Sequence, residues 1–185
     1  AKQWDFQDMQ ALQMDSYSEE AATLLPLMLG KLPKQNSPMY DSLLQWDYVY
    51  RAPSQAATFF HQWLDEFEQK LWHPLNPELH EIPERWVLPY ILKDSLGTYN
   101  PWMPRASGSV SQWLLEAFKF CQDSLAQEAW QTFKATKIQH LARLEGFSVQ
   151  AMASSGHHTA PNAMTPTHGP SWRMVVSLEP PVNAR

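Results

Sequence analysis

Apolar residues recur at three- and four-residue spacing along the first two thirds of the chain, and that spacing predicts helices. The clearest run opens at Pro53 and Ser54. Ala56, Phe60, Trp63, Phe67 and Leu71 form one stripe, with Phe59 and Leu64 beside it, while Asp65, Glu66, Glu68, Gln69 and Lys70 hold much of the other side. Helical geometry is unfavourable just before Pro74, so this helix should stop by His73. A second stripe joins Val110, Trp113, Leu114, Ala117, Phe118, Cys121 and Leu125. Ser109 and Gln112 ahead of it match a capping box.

Weaker patterns fill the gaps. Residues 4–14 read as a short helix. Ser18 then stands as an N-cap, with Glu19 and Glu20 placed where carboxylates suit the helix dipole. Ala21, Leu24, Leu25, Met28, Leu29 and Leu32 continue that helix, Pro26 should kink it, and Gly30 and Pro33 mark its end. A short amphipathic piece covers residues 40–46. Pro74, Pro77 and Pro83 make a loop, and Pro83 serves as a first helical residue leading through Trp86, Tyr90 and Leu92 towards Gly97. Pro101, Pro104 and Gly108 form a connector. Residues 126–144 read as one or two helices with Trp130, Phe133, Ile138, Leu141 and Leu144 facing inward.

The period changes after Gly146. Phe147, Val149 and Ala151 alternate with Ser148, Gln150 and Met152, as in a strand. Residues 154–170 are loop-like, and residues 172–178 read as a strand centred on Met174, Val175 and Val176 and ended by Pro180 and Pro181. The expected class is mainly α with a short β part: residues 1–145 helical, residues 146–185 strand and loop. Two isolated strands make a poor sheet, so these strands should complete a sheet whose other members lie on a partner chain or another segment.

Composition narrows the function. Of 185 residues 44% are apolar, and nine Trp and eight Phe supply enough ring surface for a core. The net charge is −5 and the Lys and Arg residues are scattered, which disfavours nucleic-acid binding. No apolar run approaches the ~20 residues that cross a bilayer. The single cysteine, Cys121, allows no internal disulfide, and its place in an apolar stripe marks it as a small core hydrophobe rather than a nucleophile.

Three groups of residues invite a chemical reading. His157, His158 and His168 are a candidate metal set in a loop, but no cysteine joins them and the nearest carboxylate is Glu179. His73 and His80 lie beside Glu78 and Glu81, where a histidine–carboxylate pair would suit acid–base work, yet the sequence places no nucleophile near them. No serine sits in a Gly-x-Ser-x-Gly elbow. Trp46-Asp47 and Trp172-Arg173 read as structural, with Asp47 capping or pairing locally and Arg173 pairing with a carboxylate across a strand.

A family resemblance runs through these motifs. The stretch from Met9 to Ser18 with Ala21-Ala22 after it, and Pro26 beyond, resembles a short helix and the helix it leads into in the penicillin amidase family. Leu43-Leu44-Gln45-Trp46-Asp47 is similar to that family's Leu-x-x-Trp-Asp, and the helix from Ala56 to Leu71 to the one that follows it. Trp130, Lys134, Ile138 and His140-Leu141 resemble the segment before the final strands. Asn162-Ala163 and the run Gly169-Pro170-Ser171-Trp172-Arg173-Met174-Val175-Val176 match the late part of the pattern. The stretch between Pro74 and Gly108 departs from it.

The resemblance implies an N-terminal-nucleophile hydrolase with an αββα sandwich, of which this chain would be the C-terminal part of the β-chain. In such enzymes the first residue of the mature β-chain supplies the attacking hydroxyl and the accepting α-amine. Ala1 has no hydroxyl, the match begins after the family's nucleophile and oxyanion asparagine, and Arg185 precedes a Gly-Gln-Ser-Gly-like stretch expected in relatives. No catalytic, cofactor-binding or metal-binding residue is therefore carried over, and the chain by itself should be inactive. The implied partners are the α-chain and the N-terminal part of the β-chain, with a small-molecule N-acyl substrate such as a β-lactam for the whole enzyme. The implied compartment is the periplasm or the exterior. The rival reading is a free-standing helical interaction module that binds through its aromatic surface; exposed apolar surface would also permit a homodimer.

Overall fold

A computed structural model describes residues 4–72, 83–94, 109–125, 127–167, 169, 173–177 and 183–184. His73, His80, Glu78, Glu81, His168, Trp172 and the 95–108 connector lie outside the described residues. The chain is mainly helical with short antiparallel β ladders, as the class expectation had it. It divides by packing into two compact units, residues 1–19, 47–54 and 128–185 in one, and residues 20–46 and 55–127 in the other. This division follows contacts, whereas the one drawn at residue 145 from sequence follows element type.

The second unit is built around two long helices. Here α1 (Phe6–Gln13) belongs to the first unit; α2 (Glu19–Lys31), α3 (Pro38–Gln45), α4 (Gln55–Trp72), α5 (Leu88–Lys93) and α6 (Val110–Ser124) follow. The apolar stripe of α4 is buried along its length, and α6 presents Trp113, Leu114, Ala117, Phe118 and Cys121 as its buried face. Phe118 is the meeting point, edge-on to Phe59 at 5.0 Å, Trp63 at 5.3 Å and Tyr40 at 6.2 Å. Trp63 also donates from Nε1 to the Leu114 carbonyl at 3.0 Å, so its one polar atom is satisfied in the core. Each such ring contributes about 1.5–3 kcal/mol by burial, which is what holds α4 and α6 together. Burial pushes the Cys121 thiol up to about 12, as expected of a core residue.

The helix boundaries follow their caps. The Ser109 hydroxyl accepts from Gln112 N at 3.2 Å and starts α6; the Gln112 side chain turns to Glu116 instead of closing a capping box. Pro26 faces solvent inside α2, and buried Ala21, Leu24, Leu25 and Met28 hold the helix on both sides of it. Around Trp86 the expectation needs correction. A single 3₁₀ turn, Arg85–Val87, precedes α5, whose buried residues are Leu88, Ile91 and Leu92, while Trp86 and Tyr90 are exposed.

In the first unit the reading of residues 126–144 as helical fails after one turn. Helix α7 is only Trp130–Lys134, because Ala135 takes φ +25°, outside helical geometry, and the chain enters β1 (Thr136–Ile138). Trp130 is buried as expected, but Phe133, Ile138, Leu141 and Leu144 are exposed. Strand β1 pairs antiparallel with β2 (Val149–Met152), the strand expected from the alternation, with a bulge between Thr136 and Ile138. Of the strand expected over 172–178, the described residues 173–177 contain β3 (Val176–Ser177), paired with β4 (Asn183–Ala184).

Candidate functional site

The buried polar residues of the first unit gather on one loop, residues 154–165, and on the segments it crosses. Gly156 makes the crossing possible. It has φ +99°, and an added Cβ there would lie 2.2 Å from the Asn162 carbonyl oxygen. Gly156 N donates to the Tyr50 carbonyl at 2.8 Å, and its own carbonyl accepts from Trp130 Nε1 at 2.8 Å and Lys134 Nζ at 3.1 Å. Ser155 accepts from Ala52 N on its hydroxyl at 3.0 Å and from Lys134 Nζ on its carbonyl at 3.0 Å.

Lys134 is 3% exposed, and burial lowers its ammonium to about 8. Two carbonyls solvate it, and the Trp130 ring lies 5.7 Å away. Nothing in the local sequence of this lysine distinguishes a buried amine from a solvated one.

His157 is also buried, stacked on Tyr50 at 4.3 Å and 11°. The amide of Thr159 donates to His157 Nδ1 at 3.3 Å, so Nδ1 is an acceptor and the Thr159 hydroxyl donates to it as well, at 2.7 Å. The buried Ser18 hydroxyl meets the Thr159 hydroxyl at 2.8 Å. A Ser–Thr–His chain of this kind resembles a nucleophile and its base, but Ser18 is fully buried and His157 nearly so, and the half-buried Thr159 hydroxyl is held between them. Asn162 completes the loop: its amide donates to the Asp15 carbonyl at 2.7 Å, its Nδ2 to Ser16 Oγ at 3.1 Å, and its Oδ1 accepts from Arg173 Nη2 at 2.5 Å. Among the described residues Arg173 contacts Asn162 and the Met14 sulfur and no carboxylate; Glu179, on the far side of the expected strand, lies outside them.

His157 is buried in the stack, its exposed neighbour His158 lies 4.0 Å away ring to ring, and His168 is outside the described residues. Among the described residues no group of three or more His, Cys, Asp or Glu is placed to hold a metal ion. Asp47 pairs locally, as expected, accepting from Arg51 at 2.7 Å; burial alone would raise its carboxyl, but Arg51 and the Val49 amide hold it below its usual value.

Two other features carry charge. In the second unit Arg85 lies among three carboxylates that sequence reasoning did not connect: Glu68 at 2.7 Å, Glu20 at 3.5 Å and Asp65. Burial alone would lower the guanidinium, but the hydrogen bond and charge of Glu68, with Glu20 and Asp65, hold it firmly protonated. In the first unit an open cleft of about 490 Å³ lies on the β1–β2 hairpin, lined by Lys137, Arg143, Glu145, Gln139 and Gln150 among others. It offers cations and amides but no base-activated hydroxyl.

What the first unit's polar cluster can do is fix a loop. Every hydroxyl beside its imidazole is spent on an internal partner. No helix among the described residues is long and apolar enough to cross a membrane. No curated protein matches the chain. A family model matches residues 1–185, and its description is penicillin amidase.

Proposed function

Because the chain belongs to the penicillin amidase family, we propose that it is a scaffold segment of an N-acyl amide hydrolase whose attacking nucleophile lies on another part of the protein. The substrate class is an N-acyl compound, a β-lactam or a related amide, split through an acyl-enzyme ester. The α-chain and the preceding part of the β-chain are the partners, in a periplasmic or extracellular setting. These finer statements rest on the family resemblance.

The observation that carries the reading is the closure of the Ser18–Thr159–His157 chain. A nucleophile needs a base, an approach and donors for the developing oxyanion. This cluster has the base, but its imidazole and Ser18 are buried and its half-buried Thr159 hydroxyl is held between them. Its residues tie the 154–165 loop to residues 14–18 and 47–54, as a scaffold requires.

Phenylmethylsulfonyl fluoride tests the reading. It sulfonylates activated hydroxyls, and intact-mass spectrometry of the treated chain should show no adduct. A stoichiometric adduct on Ser18 or Thr159 would overturn the assignment of these residues to the scaffold.

A further inference from the structure

The hairpin 136–152 is largely uncovered between its two ends. Residues 137–147 are all exposed, and Ile138, Leu141, Leu144, Phe147 and Val149 present apolar side chains to solvent. The two strands have unequal edges. The far side of β1 is engaged, because Lys137 N donates to the Pro166 carbonyl at 2.8 Å and Thr136 Oγ1 to the Thr165 carbonyl at 2.9 Å. The far side of β2 meets no strand among the described residues. Its residues, Val149, Gln150, Ala151 and Met152, include no charge and no proline, the devices that normally guard an edge. A two-stranded hairpin of this kind is marginal in water.

The charge beside this edge is the reverse of the chain's. The chain carries −5, yet the cleft on the hairpin holds Lys137 and Arg143 against the single carboxylate Glu145. Neither cation pairs with a carboxylate among the described residues. Arg143 sits at φ +56°, a left-handed conformation that closes the turn over His140 and costs a non-glycine residue strain. Open backbone groups, exposed apolar side chains and unpaired cations describe one kind of complement: an extended segment that alternates apolar residues with carboxylates.

We propose that the free edge of β2 takes up an acidic, apolar-alternating β-strand from the rest of the acylase, with its carboxylates on Lys137 and Arg143. The identity of the donor rests on the function proposed above; the chemistry of the strand rests on the hairpin alone. Main-chain hydrogen bonds would supply affinity and the two cations register.

The test uses two acetylated, amidated peptides, Thr-Glu-Val-Glu-Val-Thr and Thr-Lys-Val-Lys-Val-Thr, titrated into the 185-residue chain and followed by amide chemical shifts. The glutamate peptide should shift the Val149–Met152 amides and bind about fivefold more tightly than the lysine peptide, a preference that added salt weakens. The exposed double variant Lys137→Glu with Arg143→Asp should invert the preference; aspartate is chosen at 143 because it tolerates the left-handed backbone. Equal binding of both peptides, no shift in β2, or self-association of the chain through β2 in sedimentation would overturn the proposal. Amide hydrolysis by this chain alone would instead refute the functional reading and leave the strand chemistry standing, so the two failures are distinguishable.

Discussion

Gly156→Ala is the substitution that most directly probes how the loop is built. A residue with a Cβ at φ +99° carries about 1–2 kcal/mol of strain. The methyl would also lie 2.2 Å from the Asn162 backbone oxygen and 2.9 Å from Asn162 Cγ, so the backbone has to move. Moving it weakens the bonds from Gly156 N to Tyr50 O and from Trp130 Nε1 and Lys134 Nζ to Gly156 O, each worth about 1 kcal/mol. The expected loss is about 3 kcal/mol or more, a large share of the ~5–15 kcal/mol typical of a domain. Urea unfolding followed by tryptophan fluorescence measures it. Gly30→Ala is the control: it lies in α2 with nothing within 4 Å of its added Cβ, and should gain up to about 1 kcal/mol from helix propensity. A loss below about 1 kcal/mol for Gly156→Ala would refute the reasoning.

Other expectations follow from the same geometry. Lys134 has its folded value lowered to about 8, so the unfolded chain binds the proton more tightly. Stability should rise between about pH 8 and 10.5, by roughly 3 kcal/mol before screening, and Lys134→Met should remove this component from the urea midpoint measured across that range. Arg85→Leu strands Glu68, Glu20 and Asp65 together. The penalty should be about 3 kcal/mol at pH 7 and should shrink as the pH falls and Glu68, whose carboxyl burial already holds above its usual value, takes up a proton, which paired thermal melts would show. Thr159→Val should cost about 1–3 kcal/mol by leaving Ser18 and His157 Nδ1 without their shared hydroxyl, read from the same denaturation curves. Cys121 should react with a thiol-specific disulfide reagent at pH 8 only as fast as the chain unfolds, so its rate should climb with urea; fast labelling without denaturant would contradict its placement in the core.

The parts of the fold legible in sequence are those where one face decides everything. The Ala56, Phe60, Trp63, Phe67 and Leu71 stripe named both the helix and its buried side, and the Trp113 to Cys121 stripe did the same. Residues 130–144 misled because Trp130, Phe133, Ile138, Leu141 and Leu144 fit a helical period by accident. The backbone turn at Ala135 and the pairing of Thr136 with Met152 are tertiary facts with no local signal. The loop was legible only as a loop. The contact of Gly156 with Asn162, the buried amine of Lys134 and the stack of His157 on Tyr50 depend on residues brought together from far along the chain. The same holds for Arg85, whose partners Glu20, Asp65 and Glu68 lie on two other helices.

The assignment stands or falls on turnover. The purified chain, free of any host acylase, should release no amine from an N-acyl substrate above the uncatalysed rate. Saturable release that persists through purification and disappears in Thr159→Val would mean that the Ser18 and Thr159 hydroxyls perform the chemistry themselves.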